Sequence, residues 1–532
     1  MLFLLWFWIS AVWASWDVLE WDDSVQSSEN NNSSLHARDG ALFDSGMIEE
    51  WTPVSSTIVV GQRDYFNFQV NSSYSRIKSS SDMMVFLSGN IVNQSRQLFN
   101  STEMQLAVYY AFDESAILNL SEASSLSLFQ AGYLGALALL PLSQNDNTTG
   151  ITNLYLSIGV YNTTSKSLAV ASSITQDLFW NYTISVSQYD LVFQWDTRSW
   201  IEVVDSDYNS ALLVTGNVTE TSSGSNYSIY DTGLYDLYLY SSDDINYFDN
   251  SLTNSLSAIQ NGPYLATSAK NVSIDDGSGI KNSSILAIDK SISVREGSVK
   301  EQFHVTGLNS STTYAVYLTK KISDKMLTLS SAGGVLFSKS TLTTMHDDSC
   351  SLIFDLDFCD GVAYSVPTSS LARGNKTAIA LMYDNIAESL YANFSKALQI
   401  VPCDTEQDAL YTPLRSCDDC AEAYRNWLCA VSIPRCTTVE TSFYIHRDKT
   451  ENRNDYLNQE IQPLNDYYEV LPCIDMCHSL VTDCPPDFQF SCPSKSYETD
   501  LMYQSYNVFE KGHPFDTCNF VGSSQNLQIV GS

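Results

Sequence analysis

From Trp51 to about residue 345 the chain alternates short apolar runs with turns rich in Ser, Thr, Asn and Gly. Tyr65-Phe-Asn-Phe-Gln-Val70, Leu154-Tyr-Leu-Ser-Ile158 and Leu234-Tyr-Asp-Leu-Tyr-Leu-Tyr240 are period-two stretches. That period belongs to a strand with one face buried, and the aromatic and β-branched content agrees. The spacing predicts an all-β region. A weak repeat runs through it: Val85-Phe-Leu-Ser-Gly-Asn90 followed by Leu106-Ala-Val-Tyr-Tyr110 resembles Leu213-Val-Thr-Gly-Asn217 followed by Leu234-Tyr-Asp-Leu-Tyr-Leu239. Tandem β-sandwich modules would produce such a repeat.

Beyond Cys350 the period changes. Ile386, Leu390, Phe394 and Leu398 recur every fourth residue and predict one face of a helix. Ala421–Leu428 and Ile474–Val481 also read as helical turns, so the last third is expected to be mainly α. Two apolar runs raise the question of a membrane. Met1–Ala14 is too short to span a bilayer comfortably, and Val12 and Ala14 are small residues where a signal peptidase cuts. It reads as a signal peptide over 1–15, with an uncleaved anchor as the other reading. Leu126–Leu142 barely reaches spanning length and contains Gln130, two glycines and Pro141, so it reads as buried strands with a glycine turn. The C-terminus lacks the apolar tail of a lipid anchor.

Composition sharpens this division. All twelve cysteines lie between Cys350 and Cys518: Cys350, Cys359, Cys403, Cys417, Cys420, Cys429, Cys436, Cys473, Cys477, Cys484, Cys492 and Cys518. An even number confined to one region behind an apolar leader predicts a disulfide framework formed in an oxidising compartment. Sixteen N-glycosylation sequons accompany them: Asn31, Asn32, Asn71, Asn93, Asn100, Asn119, Asn147, Asn162, Asn181, Asn217, Asn226, Asn271, Asn282, Asn309, Asn375 and Asn393. None follows Asn393. The formal charge of -34 excludes nucleic acid and anionic lipid as partners, because both demand basic patches.

Candidate chemistry is sparse. There is no GxSxG elbow and no HExxH pair, and no convincing nucleophile–base set, so an enzyme is not expected. Cys417-Asp-Asp-Cys420 has no second CxxC at zinc-ligand spacing and reads as structural. Asp205-Ser-Asp-Tyr-Asn209 opens like a calcium-binding EF-hand loop. Ser210 and Gly216 stand where that loop needs its glycine and its bidentate glutamate, so direct calcium binding is not expected there. No cofactor is implied.

Three resemblances add to this reading. Phe303–Leu318 resembles the closing strands of a fibronectin type III domain, in which Leu308 and Tyr314 would form the corner that ties one sheet to the other. The cysteine spacings, with Trp427-Leu-Cys429, Ile433-Pro-Arg-Cys436, Leu471-Pro-Cys473 and Cys484-Pro485, resemble the helical cysteine-rich domain of the Frizzled class. That resemblance implies the pairs Cys350–Cys436, Cys359–Cys429, Cys473–Cys518 and Cys477–Cys492, with Cys484 bonded to Cys403 or Cys420. Glu50-Trp-Thr-Pro53, Leu191–Asp196, Asn261-Gly-Pro-Tyr264, Asp418–Arg425, Tyr444–Lys449, Leu471–Cys477 and Phe488–Cys492 carry a likeness over nearly the whole length. On these residues the chain resembles the fungal stretch-activated calcium channel component, the regulatory subunit of the high-affinity calcium influx system.

The resemblance implies a glycoprotein at the extracellular face of the plasma membrane, bound to a large pore-forming calcium-channel subunit of the voltage-gated type. It would support calcium entry after pheromone, stress or membrane stretch. The alternatives are a stretch-activated channel in its own right and a secreted ligand-binding ectodomain. The expected organisation is a signal peptide (1–15), a flexible polar segment (16–50) and a β-sandwich module (51–187). A second β module (188–262), a fibronectin type III-like module (263–345) and a Frizzled-like cysteine-rich domain (346–532) follow. For partner contact we expect the charged insertion between Cys436 and Cys473, with Arg447, Asp448, Lys449, Arg453, Asn454 and Asp455 presented on a loop pinned at both ends.

Overall fold

The computed structural model describes residues 46–70, 82–98, 103–120, 124–141, 152–172, 175, 177–220, 233–249, 251–269, 286–295, 298–322, 333–401 and 414–522. The leader, Cys403 and the sequons at Asn31, Asn32, Asn71, Asn100, Asn147, Asn226, Asn271 and Asn282 lie outside them.

Ten strands lie between residues 47 and 187 among the described residues. They are β1 (Met47–Ile48), β2 (Val54–Val59), β3 (Arg63–Val70), β4 (Asp82–Gln94), β5 (Met104–Ala111), β6 (Ser125–Leu128), β7 (Tyr133–Pro141), β8 (Thr152–Asn162), β9 (Ser167–Leu168) and β10 (Phe179–Ser187). One sheet runs β1-β3-β8-β5-β6, with β9 against β8, and the other runs β2-β10-β4-β7. Alternation decides which side chains go inside. In β3, Phe66, Phe68 and Val70 are buried while the intervening Asn67 and Gln69 are not. They share one core with Leu106 and Leu154 of their own sheet and with Val85, Leu87 and Ile184 of the other.

Two expectations meet this region. The polar segment expected to reach residue 50 ends earlier: Met47–Ile48 adds a parallel strand beside β3, and Ile48 is buried in the core. Leu126–Leu142 is divided between β6 and β7, which belong to different sheets and are joined by a turn with positive φ at Ala131 and Gly132.

The chain from 188 to 345 carries β11 (Phe193–Asp196), β12 (Ile201–Ser206), β13 (Ser210–Thr215), β14 (Thr219–Glu220), β15 (Tyr235–Ser241), β16 (Ala266–Thr267), β17 (Ala287–Arg295), β18 (Ser298–Thr306), β19 (Thr313–Lys320), β20 (Gly334–Phe337) and β21 (Ser340–Thr343). Here the expected boundary at 262/263 is corrected. The sheet β11-β20-β19-β15-β16, with β21 against β19, takes strands from both sides of it. So does the sheet β12-β13-β18-β14, with β17 against β18. Neither half could bury its apolar face alone; Leu213, Leu237 and Leu239 share a core with Phe303, Val305 and Leu318. The Tyr314 ring is buried, and its hydroxyl accepts a hydrogen bond from the Asn309 amide at 2.9 Å.

Three short helices interrupt these strands: α1 (Glu114–Asn119), α2 (Ser242–Asp249) and α3 (Leu256–Asn261). The start of α3 ties the two β regions together. Ser255 Oγ donates to the Ile91 carbonyl at 2.6 Å, and Asn90 Oδ1 accepts from the Leu256 amide at 3.1 Å. Ser88 Oγ accepts from the amides of Val192 and Phe193.

The last third combines β22 (Cys350–Ile353), β23 (Tyr364–Pro367), α4 (Lys376–Leu398), α5 (Cys417–Ser432), β24 (Arg435–Thr437), β25 (Ile445–Arg447), β26 (Tyr467–Val470), α6 (Ile474–Asp483) and α7 (Thr499–Ser505). Among the described residues five disulfides cross it: Cys350–Cys436, Cys359–Cys429, Cys420–Cys484, Cys473–Cys518 and Cys477–Cys492. Cys417 is also disulfide-bonded. The face of α4 is shifted from the expected one. Leu390 is exposed, and Ile379, Tyr383, Ala387, Phe394 and Leu398 go inside. Asp384 sits on that inner face because its carboxylate accepts the Phe358 and Cys359 amides at 2.9 and 2.8 Å.

Candidate functional site

The aspartate-rich turn between β12 and β13 is the joint between the β strands and the cysteine-rich third. Asp207 is fully buried and accepts the amides of Asn209 and Ser210 through one oxygen. Its other oxygen takes the Leu352 amide at 2.8 Å and the Lys376 ammonium at 2.5 Å. Lys376 Nζ also reaches Asn209 Oδ1 and Ser210 Oγ, at 2.9 and 2.6 Å. A lysine at the first position of α4 thus stands in the oxygen cage of the loop that opens like a calcium site. Two residues earlier in the turn, Asp205 accepts from Arg435 Nε at 3.2 Å and from the Ser365 amide. Burial pushes the Asp205 carboxyl up and Arg435 pulls it back. Burial acts against the Arg435 charge, but Asp205 and Asp516 more than offset it. A buried ion pair of this kind is costly to break, because the survivor is stranded without water.

His304 lies beside this clasp on β18, its ring edge-on to Phe354 at 4.9 Å. Burial pushes its imidazole below the usual value, the neighbouring Lys376 adds to the effect, and Asp289 and Asp207 oppose it.

The charged insertion is built differently from the expectation. Glu469 of β26 is 1% exposed and pairs with Arg447 Nε at 2.6 Å and with Arg453 Nη2 at 3.1 Å. Arg453 also donates to the carbonyls of Val431 and Ser505, and Asn454 Nδ2 donates to Val431 and Tyr456. Arg447, Arg453 and Asn454 therefore hold the insertion to α5 and to the end of α7. Their side chains are engaged within the fold. Asp448, Lys449 and Asp455 remain exposed.

A groove of about 260 Å³ opens beside that insertion, lined by Phe443, Ile445, Met502, Tyr503, Tyr506 and Val508 together with the polar Ser442, Lys495, Asn507 and Glu510. Its floor is fixed by Trp427, whose Nε1 donates to the Tyr506 hydroxyl at 2.9 Å, and by the Cys473–Cys518 bond. Tyr497, Leu501, Tyr503 and Phe509 of the same stretch of chain are each at least half exposed. Sequence reasoning missed this groove. Its only signals were the absence of sequons after Asn393 and the density of aromatics between Tyr497 and Phe515.

Of the described sequons, Asn93, Asn119, Asn217, Asn309, Asn375 and Asn393 are exposed and Asn162 and Asn181 are half-buried. Asn375 caps α4 through its Oδ1, and Asn162 caps its own turn in the same way. A glycan would attach through the nitrogen, so capping and glycosylation are compatible.

The family model described as "Stretch-activated Ca2+-permeable channel component" matches residues 84–524, most of the chain. The chain belongs to the Mid1 family. It is 50% identical over 496 residues to the stretch-activated cation channel MID1 of Saccharomyces cerevisiae, covering 92% of this chain and 89% of that one. It is 33% identical over 331 residues to the stretch-activated cation channel yam8 of Schizosaccharomyces pombe, covering 61% of each. Mid1 proteins are a family of channel components, not of enzymes.

Proposed function

We propose that this Mid1-family chain is an auxiliary glycoprotein subunit of a plasma-membrane calcium channel, with the pore supplied by another, larger subunit of the voltage-gated type. It enters the secretory pathway through its leader, is glycosylated on its β-sandwich region, and seats on the extracellular side of the pore protein through a Frizzled-like cysteine-rich domain. Calcium entry in response to pheromone, stress or stretch would depend on it.

The observation that carries this reading is the fate of Leu126–Leu142, the best internal candidate for a span. Its two halves pair in two sheets of one β core. No helix among the described residues is long and apolar enough to cross a membrane. Ion conduction through a bilayer needs spanning segments and a lined filter. The names of the relatives favour a second reading, in which the chain itself is the stretch-activated channel. Glycan occupancy separates the two: sugars on both Asn119 and Asn147, seen by mass spectrometry of the native protein, place both flanks of that run on one side of the membrane. An unmodified Asn147 accessible only from the cytoplasm would refute the auxiliary reading. Co-purification with the pore-forming subunit is the accompanying expectation.

A further inference from the structure

We infer that Cys403 and Cys417 form a sixth disulfide, which ties the segment leaving α4 to the first residue of α5 and keeps the Cys417 sulfur from attacking the neighbouring Cys420–Cys484 bond. This needs only the oxidising compartment that the other bonds already require, and it stands whichever channel role the chain has.

The partner of Cys417 follows from what is left over and from where its sulfur lies. Five bonds use ten of the twelve cysteines, and Cys484 is taken by Cys420. Cys417 is itself disulfide-bonded, and among the described residues no cysteine is free. Cys403 is the cysteine that remains. Position agrees: Cys417 Sγ lies 4.0 Å from the carbonyl oxygen of Val401, two residues before Cys403 in the chain. A chain advances at most about 3.6 Å per residue, which holds Cys403 close to that sulfur. A disulfide asks for Cα atoms within about 7 Å of each other.

The start of α5 sets the chemistry of this sulfur. Ser416 Oγ accepts the Asp419 amide at 3.3 Å, while Asp419 Oδ2 accepts the Ser416 amide at 2.7 Å. That reciprocal cap fixes Cys417, the first residue of the helix. Cys417 packs against the cluster that contains Phe394, Leu398, Cys420, Leu480 and Cys484. Cys417 and Cys420 therefore share one side of the helix at the C-x-x-C spacing that disulfide oxidoreductases use for exchange. A reduced Cys417 is placed to attack Cys420 as its thiolate. A Cys417–Cys420 bond then forms, the Cys420–Cys484 bond breaks and Cys484 leaves as the thiolate, with no net oxidation. That exchange unhooks α5 from the end of α6. Bonding Cys417 to Cys403 removes the attacking sulfur.

The test is peptide mapping of the full-length glycoprotein from a fungal host, with free thiols alkylated before unfolding. Cleavage after Lys and Arg and before Asp puts the four cysteines on four peptides, because Asp404, Arg415, Asp418, Asp419 and Asp483 separate them. The Cys403 and Cys417 peptides should appear joined and unalkylated. Cys403 joined to Cys420 or Cys484, or alkylated without reduction, would overturn the inference. Two variants read the guarding role. Cys403→Ser with Cys417→Ser should retain Cys420–Cys484, whereas Cys403→Ser alone should give at least tenfold more alkylated Cys484 and a joined Cys417–Cys420 pair. Equal alkylation of Cys484 in the two variants would overturn that role.

Discussion

At the residue scale the decisive groups are charges that the fold has taken out of water. Glu469 holds two arginines in a site where its carboxylate has no route to solvent. Glu469→Gln should cost about 3–5 kcal/mol in denaturant unfolding, the usual result of stranding a buried partner. Reversing Arg447 or Arg453 should likewise unfold the insertion, so neither change reports on docking by itself. Titration of His304 gives a pH dependence of definite sign. Its folded value lies below the ordinary 6.5, so as pH falls through that point the unfolded chain takes up a proton that the folded chain resists. Stability should therefore fall on acidification, and His304→Phe should flatten the low-pH limb of a melting-temperature profile. An unchanged limb would mean that the clasp does not feel this ring.

At the element scale, α4 shows what periodicity reveals and what it hides. Four-residue spacing marked Phe394 and Leu398 as inward, and both are. It also marked Leu390, which is exposed although it lies on the same side of the helix as Ile379 and Tyr383, because burial depends on which neighbours cover each turn and not on periodicity alone. Hydropathy could not have placed Asp384 on the inner face, since its burial is set by two loop amides from a distant stretch. Phe394→Ala should accordingly cost about 3–5 kcal/mol, while Leu390→Ala should stay within about 0.5 kcal/mol; denaturant titration of both variants distinguishes this register from the strict one. The strand patterns were legible for the same reason that the strand partners were not. Alternation reports which face of a strand is buried, but nothing local says that β11 will pair with β20, some 140 residues later.

At the scale of the whole molecule, cysteine spacing located the stapled third, and the paired cysteines hold loops that a modest core could not. Sequence composition was silent on how that third meets the strands. The turn Asp205–Asn209 drew notice as a near-miss for a metal loop, and the structure gives its oxygens to Lys376 and Arg435. Asp207→Ala should lower stability by about 3–5 kcal/mol, and limited proteolysis should then cut between the two regions; a single cooperative melt like the parent's would mean the clasp is dispensable. The arrangement leaves the sequon-bearing strands and the sequon-free groove on one continuous body.

Calcium flux into liposomes that contain the purified glycoprotein and nothing else tests the central claim most directly. The account predicts no flux above that of empty vesicles, with or without osmotic stretch, and flux only once a pore-forming subunit is added. Stretch-dependent calcium entry through the chain alone would contradict it.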